Sequence, residues 1–216
     1  MNSTKRLTTL AMLAALSLLV MFLIRFPLFL PFLTYEPKDV IIIIGGFLYG
    51  PLAAMLIIVV TSLIEMITIS ETGLWGLAMN IISSSALVIP AVLIYGRWRS
   101  LPGAVIGLIV GVISVVGVML LWNYLIIPLY TPAVSRADVM PMLRPIILPF
   151  NLIKGGLNAS VAMMLYKPVS MALTRAGLYK PAGDGASGKL NIWVVIISAF
   201  VVLSFVLVIL VERGVL

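Results

Sequence analysis

Five side chains with binding chemistry lie within stretches that are otherwise apolar. They are Glu65, Asn80, Asn123, Asn151 and Lys154. Ionisable and amide groups are costly in an apolar environment, so they usually face a cavity or a partner there. Amides supply both donors and acceptors, whereas lysine supplies donors alone, and a single carboxylate is a poor ligand set for a cation. The residues therefore predict a pocket for a polar organic ligand rather than a metal ion.

Three polar residues near the C-terminal end of this series share one helical face. Asn151, Lys154 and Asn158 are spaced i, i+3, i+7, which places their side chains one above the other. Aromatic residues that would stack on a flat ring are expected at a similar depth, namely Tyr35, Trp75, Trp122 and Tyr124. We interpret the whole set as a pocket with amide donors and aromatic walls that opens to the outside.

Plainer interpretations of the same residues are open. Asparagines in membrane helices often serve only as hydrogen bonds between helices. Glu65 and Lys154 can pair with each other, and Trp75 and Trp122 fit the aromatic belt of a membrane interface. The pocket is favoured because polar residues from four predicted helices converge at one depth.

The amino-acid composition indicates the environment of the helices that carry these side chains. Hydrophobic residues make up 62% of the 216-residue chain and charged residues only 10%, whereas a soluble domain carries about 25% charge. So much apolar surface requires lipid as the solvent, which excludes a soluble enzyme. The net charge of +7 is not gathered into a basic run, so no nucleic-acid partner is expected.

The absence of cysteine and histidine limits the available chemistry further. Both counts are zero, which excludes disulfides, metal sites built on Cys or His, thiol nucleophiles and histidine acid–base catalysis. We expect no resident metal, no cofactor and no enzymatic activity.

Seven apolar stretches are predicted to cross the bilayer, for which about 20 residues are needed. They are residues 7–24, 40–49, 52–69, 75–95, 103–128, 145–173 and 192–211. The second is too short to cross comfortably alone. A loop rich in proline and aromatic residues is expected at 25–39, and its apolar members should pack against the helices. A polar loop is expected at 130–144. Residues 1–180 form the predicted membrane domain, 181–191 a hydrophilic linker and 192–216 an additional helix.

The distribution of basic residues predicts a cytoplasmic N-terminus. In that orientation the inner segments hold Lys5, Arg6, Arg97, Arg99, Lys167, Arg175, Lys180 and Lys189. The outer loops then hold only Arg25, Lys38, Arg136 and Arg144. This asymmetry follows the positive-inside rule, provided that residues 40–49 count as a crossing. The predicted location is the plasma membrane, crossed several times.

Two sets of small residues permit close helix contacts. Gly103, Gly107 and Gly111 are spaced at four-residue intervals, and we expect them to pack against another helix of this chain. Ala11 and Ala15 form a similar pair on the first helix. Their face is the candidate docking surface for another membrane subunit.

Several short motifs resemble one transporter family in their order along the chain. They are the segments 33–39 (LTYEPKD), 45–51 (GGFLYGP), 65–68 (EMIT) with Ser70, Thr72, Gly73, Met79 and Asn80, and 151–154 (NLIK), with the pair Ala11 and Ala15. These residues resemble the riboflavin-specific substrate-binding (S) component of energy-coupling factor (ECF) transporters. The resemblance extends from about residue 5 to residue 180.

The resemblance implies an all-α membrane protein with a six-helix S-component core, to which residues 192–211 add a seventh helix. It implies riboflavin as the transported ligand, captured from outside and covered by the loop after the first helix. The implied partners are a membrane coupling subunit, in contact with Ala11 and Ala15, and two cytoplasmic ATPase subunits. No GxxxxGK[ST] phosphate loop occurs in the chain, so ATP hydrolysis belongs to the partners. From their predicted depth and donor type, Asn151 and Lys154 are candidates for the carbonyl and imide edge of riboflavin, and Asn123, Asn80 and Glu65 for its hydroxyls. The other candidate riboflavin-binding residues are Tyr35 and Asn158.

Three other functions are weighed against this one. An S component for another vitamin would use the same amides and aromatic residues. An ion-coupled secondary carrier would use Glu65 and Lys154 as a relay, but such carriers often show an internal repeat, and we detect none. An intramembrane enzyme would have few chemical routes without histidine or cysteine.

Overall fold

The computed structural model describes residues 3–30, 33–70, 72–131, 133–180 and 191–212. The predicted linker lies outside these residues, apart from Asn191, and so does Lys189. The described chain is almost entirely helical. Its helices are α1 (Ser3–Leu23), α2 (Lys38–Tyr49), α3 (Pro51–Thr68), α4 (Gly73–Arg97), α5 (Leu101–Tyr130), α6 (Arg136–Met142), α7 (Leu148–Arg175) and α8 (Ile192–Glu212).

Within the described residues, six helical segments are long and apolar enough to cross a membrane. They are α1, α3, α4, α5, the continuous segment Arg136–Arg175 that contains α7, and α8. These segments confirm six of the seven predicted stretches, although most begin or end a few residues away from the predicted bounds; residues 40–49 are not among them. The predicted seventh helix at 192–211 is also confirmed.

Helix α2 is short because it lies inside the bundle. Its 12 residues span about 18 Å at 1.5 Å per residue, well short of a bilayer. Eleven of the 12 are buried, and α2 packs against α1, α3, α4 and α7. Gly50 has φ +91°, a conformation that a side chain disfavours, and Pro51 starts α3 directly after it. This turn reverses the chain without a loop.

Helices α4 and α5 pack closely through the predicted glycine stripe. A Cβ atom added at Gly107 would lie 2.7 Å from the Ala91 carbonyl oxygen, and one at Gly111 would meet the Leu87 carbonyl oxygen. These contacts confirm that the stripe packs within the chain. Gly103 differs, since its close neighbour is Trp98 in the connection between the two helices.

The segment after α1 folds back on itself instead of forming an unstructured loop. Two short strands, β1 (Phe26–Pro27) and β2 (Thr34–Tyr35), pair antiparallel. Residues Leu28, Leu33 and Tyr35 are buried in a cluster with Phe150, Ile153 and Leu157 of α7, which confirms that the apolar members pack. The predicted end of the loop was wrong, because Lys38 and Asp39 already belong to α2.

The prediction of a polar loop at 130–144 was also wrong. Helix α5 runs to Tyr130, and a new helix starts at Arg136. Ser135 and Asp138 form a capping box at its start, with each side chain bonding the backbone N–H of the other. The chain then continues through a π-helical turn, Leu143–Ile147, into α7. The polar residues of this segment either cap the helix or lie on its exposed side. Their low hydropathy therefore led to the prediction of a loop.

Candidate ligand-binding site

A cavity of about 200 Å³ lies where α3 ends and α4 begins, between the C-terminal part of α5 and the start of α7. Residues of the β1–β2 segment close one side of it. The lining residues are Arg25, Leu33, Thr34, Glu36, Glu65, Ser70, Thr72, Trp75, Gly76, Met79, Asn80, Ser83, Met119, Trp122, Asn123, Phe150, Asn151 and Lys154. The wall therefore combines apolar side chains with a few polar groups, as small-molecule sites generally do.

All five of the polar residues on which the pocket prediction was based line this cavity. They reach it from four helices, because each lies on the inward face of its own helix. On α4, Gly76, Asn80 and Ser83 are spaced by four and three residues, which places them on one side. The structure thus brings the five residues together in one cavity, and Trp75 and Trp122 also line it.

Two of the asparagines are held by their own helices. The amide nitrogen Nδ2 of Asn151 donates to the Ile147 carbonyl at 2.8 Å, and that of Asn123 donates to the Met119 carbonyl at 2.6 Å. Both bonds bridge four residues and fix the side-chain rotamer. Among the described residues, Oδ1 of each amide accepts no hydrogen bond and one N–H of each remains unused, so these residues present acceptors as well as the donors expected from the sequence.

Lys154 provides the complementary donor. It lies one helical turn after Phe150, with its Nζ 5.9 Å from the centre of that ring, a cation–π distance. Among the described residues its ammonium group forms no salt bridge within 4 Å. The interpretation that Glu65 pairs with Lys154 is wrong, because Glu65 is engaged by another lysine.

That lysine is Lys38, which lies at the centre of a buried chain of charges. Its ammonium bonds the Glu65 carboxylate and lies 3.4 Å from Glu36 Oε2. The other oxygen of Glu36 lies 3.2 Å from Arg25 Nε. Lys38 is only 1% exposed, so counting it among the basic residues of the outer loops was wrong. Two carboxylates share one buried ammonium, and this pairing is what makes the burial of all three tolerable.

The charges around Glu36 keep it ionised. Burial alone raises the pKa of the Glu36 carboxyl, but Lys38, Lys154 and Arg25 outweigh burial and hold that pKa below its usual value of 4.5. The carboxylate is therefore a fixed negative charge at neutral pH. Since Arg25 and Glu36 both belong to the segment that closes the cavity, this charge ties the segment to α2.

Tyr35 and Asn158 are close to the cavity but do not belong to its lining. The Tyr35 hydroxyl donates to Asn158 Oδ1 at 3.2 Å, and Asn158 Nδ2 lies 3.5 Å from the Glu36 carbonyl oxygen. Burial raises the pKa of the Tyr35 hydroxyl, so it remains a donor. The pair fastens strand β2 to α7 below Lys154. Tyr124, also expected at the pocket, is not among the lining residues either.

Several lining residues were not anticipated from the sequence. The important ones are Glu36 and Arg25, and behind the wall Lys38. A signal for them was present in the chain. Lys38 and Asp39 directly precede a run of four isoleucines after Val40, and charges that enter such a buried helix require partners. Asp39 satisfies this requirement by accepting from Ser84 Oγ at 2.6 Å.

Comparisons with known proteins agree with this geometry. Residues 5–166 match the family model described as ECF transporter, substrate-specific component. The riboflavin transporter RibU of Staphylococcus aureus (strain TCH60) is 32% identical over 182 residues, which cover 81% of this chain and 95% of the relative. The riboflavin transporter FmnP of Bacillus subtilis (strain 168) is 30% identical over 160 residues, or 70% and 84% of the two chains.

A solved structure of the S component of a bacterial ECF transporter superposes with a TM-score of 0.67 at 28% identity. The match covers 81% of this chain and all of that one. The all-α membrane fold with an S-component core is thereby confirmed, as is the expectation of a transport component rather than an enzyme. The chain belongs to the family of substrate-specific components of ECF transporters.

Proposed function

We propose that this S component captures riboflavin from outside the cell and delivers it for ATP-driven uptake. The observation that carries the proposal is the cavity wall, in which one lysine and two asparagine acceptors stand beside two tryptophans. Riboflavin matches this wall as a neutral molecule with a flat ring, an imide edge and a hydroxyl chain. Both curated relatives described above are riboflavin transporters, which supports the same ligand.

The imide edge of riboflavin has an N–H donor between two carbonyl acceptors. Asn151 Oδ1 accepts from the imide N–H, and Lys154 donates to the neighbouring carbonyl, because these two side chains stand one turn apart on α7. Asn123, Asn80 and Glu65 bind ribityl hydroxyls from the opposite helices. Tyr35 and Asn158 act indirectly by holding strand β2 against α7.

The charges near the cavity favour a neutral ligand over an ion. Arg25, Lys38 and Lys154 oppose Glu36, Glu65 and the nearby Asp39, so that three positive charges face three negative ones. A resident ion would disturb this balance, whereas hydroxyl and imide groups add hydrogen bonds to it.

The proposed partners are a membrane coupling subunit and two cytoplasmic ATPase subunits of the ECF module. The N-terminus lies in the cytoplasm in this proposal. Arg6 of α1 donates to the Tyr49 carbonyl at the end of α2, and Tyr49 donates to the Leu178 carbonyl beyond α7. These contacts bring the basic start of α1 and the basic segment after α7 to one end of the bundle, opposite the cavity. Basic residues at that end support its assignment to the cytoplasmic side.

Titration of the purified protein in detergent with riboflavin tests the ligand. Stacking against Trp75 or Trp122 should quench the flavin fluorescence, saturably and with a stoichiometry near one. Competition by other water-soluble vitamins at equal concentration is the control for specificity. A folded protein that leaves the fluorescence unchanged but binds another vitamin would replace riboflavin with that vitamin. Loss of uptake in cells that lack the ATPase subunits would support the ECF module as the energy source.

A further inference from the structure

Helix α8 presents one narrow face to the rest of the molecule. Val202, Phe205 and Ile209 are half-buried and, together with the buried Ser198, are spaced by four, three and four residues. This spacing places them on one stripe. Other large residues of α8, such as Phe200 and Leu203, are more than half exposed. The helix packs chiefly on α7.

Phe205 seats in a notch in α7 that a glycine creates. A Cβ atom added at Gly156 would lie 2.5 Å from Cε2 and Cζ of the Phe205 ring. Any larger residue at 156 would therefore displace the ring or the helix that carries it. The contact therefore depends on these two positions and differs from the unspecific packing of one apolar helix face on another.

The same stripe of α8 packs against an apolar cluster that α7 and the segment closing the cavity form together. Val202, Phe205 and Ile209 pack against the apolar cluster that holds Leu28, Leu33 and Tyr35. Leu33 belongs both to this cluster and to the cavity lining, and so does Phe150 of α7. Helix α8 is thus linked through this cluster to both α7 and the segment that lines the cavity.

Helix α8 lies outside the part of the chain that the family model matches. The family model ends at residue 166, whereas α8 starts at Ile192. The solved S component is matched along its whole length by 81% of this chain. About a fifth of this chain therefore lies outside the match, and the S-component fold exists in a protein without a counterpart to that fifth.

We propose that α8 is a clamp on the ligand-enclosing segment, with Phe205 as its positioning residue. By filling the notch at Gly156, Phe205 holds α7 and residues 28–35 together and slows escape of the bound ligand. The part of the test that uses riboflavin rests on the proposed function, and a second readout is independent of any ligand.

The first measurement is the rate of riboflavin dissociation from the full-length protein in detergent. Phe205→Ala should speed dissociation roughly tenfold, since truncating a packed phenylalanine removes most of its contacts. Phe205→Leu should restore most of the retention. Phe200→Ala is the matched control, because it makes the same change on the exposed face of α8. Equal rates for the parent, Phe205→Ala and Phe200→Ala would overturn the clamp.

The notch provides a reciprocal test. Gly156→Ala should speed dissociation by displacing the Phe205 ring, and the double variant Gly156→Ala/Phe205→Ala should dissociate no faster than Phe205→Ala alone. Added effects in the double variant would mean that the two positions act separately, which contradicts the clamp.

The ligand-independent readout uses the natural absence of cysteine. Leu28→Cys introduces a single buried thiol in the clamped segment, whose labelling by a maleimide reports opening. Without riboflavin, Phe205→Ala should raise the labelling rate and Phe200→Ala should not. A raised rate in a protein that fails to bind riboflavin would support the clamp and reject the proposed ligand, whereas an unchanged rate would reject the clamp.

Discussion

At the cavity wall, the asparagines and the lysine have different tasks because their hydrogen-bonding capacities differ. Lys154 brings a charge-assisted donor with no salt bridge among the described residues, so Lys154→Ala should weaken riboflavin binding by about 10- to 100-fold. Asn151→Ala removes a neutral acceptor and should cost about tenfold. Leu152→Ala is the control, since Leu152 lies between them on the exposed face of α7. Fluorescence titration of the folded variants gives the affinities. Unchanged affinity in both alanine variants would remove α7 from the site.

The buried charge chain predicts a one-sided response to pH. Because the pKa of Glu36 is held below 4.5, its favourable interactions are fully present above that value and are lost as the pH falls through the lowered pKa. Riboflavin binding should therefore remain constant from neutral pH down to about pH 4.5. It should weaken below this range, when a neutral Glu36 releases Arg25 and Lys38.

Glu36→Gln identifies the group that titrates. This variant keeps the shape of the side chain but has no carboxylate to protonate. It should bind riboflavin more weakly than the parent at neutral pH, and its affinity should not change further in the acid range. The readout is riboflavin affinity measured between about pH 3.5 and 7.5, with Asp138→Asn as a control because Asp138 is exposed and does not line the cavity. An acid response that persists in Glu36→Gln would assign the titration to another carboxylate.

At the scale of helices, close packing of α4 on α5 depends on the absence of a side chain at Gly107. Gly107→Ala places a methyl group against the Ala91 carbonyl and should lower the free energy of unfolding by about 1–3 kcal/mol. Gly117→Ala is the matched control on the same helix, since nothing lies within 4 Å of its added Cβ. This control should be neutral or stabilising by up to about 1 kcal/mol. Unfolding in mixed detergent micelles compares the two, and equal stability would contradict the close contact.

The helices could be predicted from the sequence to the extent that their environment is lipid. Long apolar runs gave α3, α4, α5 and α8 nearly correctly, because every side facing lipid or protein must be apolar there. The same criterion failed for α6, whose Ser135 and Asp138 cap a helix outside the apolar core. It also failed for Lys38, since hydropathy treats a charge as exposed and does not detect a partner distant in sequence.

The candidate site was predictable for a related reason. Amides and charges inside apolar runs are rare enough to mark a cavity, and all five of them reached it. Hydropathy and residue spacing do not show which side chains bond each other across the fold. Glu65 bonds Lys38 across 27 residues, and Tyr35 bonds Asn158 across 123. Such contacts depend on how the helices are arranged, so the tasks of Tyr35, Asn158 and Glu36 emerged only from the three-dimensional structure.

At the scale of the whole molecule, the binding site and the proposed coupling surface are separate. Ala11 and Ala15 lie exposed on α1 and are not among the cavity-lining residues. If this face docks on the coupling subunit, Ala15→Trp should abolish ATP-driven uptake while leaving riboflavin affinity unchanged, because a bulky ring prevents close helix contact.

Ile113→Trp, at a side chain of α5 that is 65% exposed, is the control for a bulky ring on a lipid-facing surface and should transport normally. Uptake in cells and titration of the purified variants together distinguish capture from delivery. Normal uptake by Ala15→Trp would move the coupling surface to another face, and a loss of affinity would mean that α1 shapes the pocket instead.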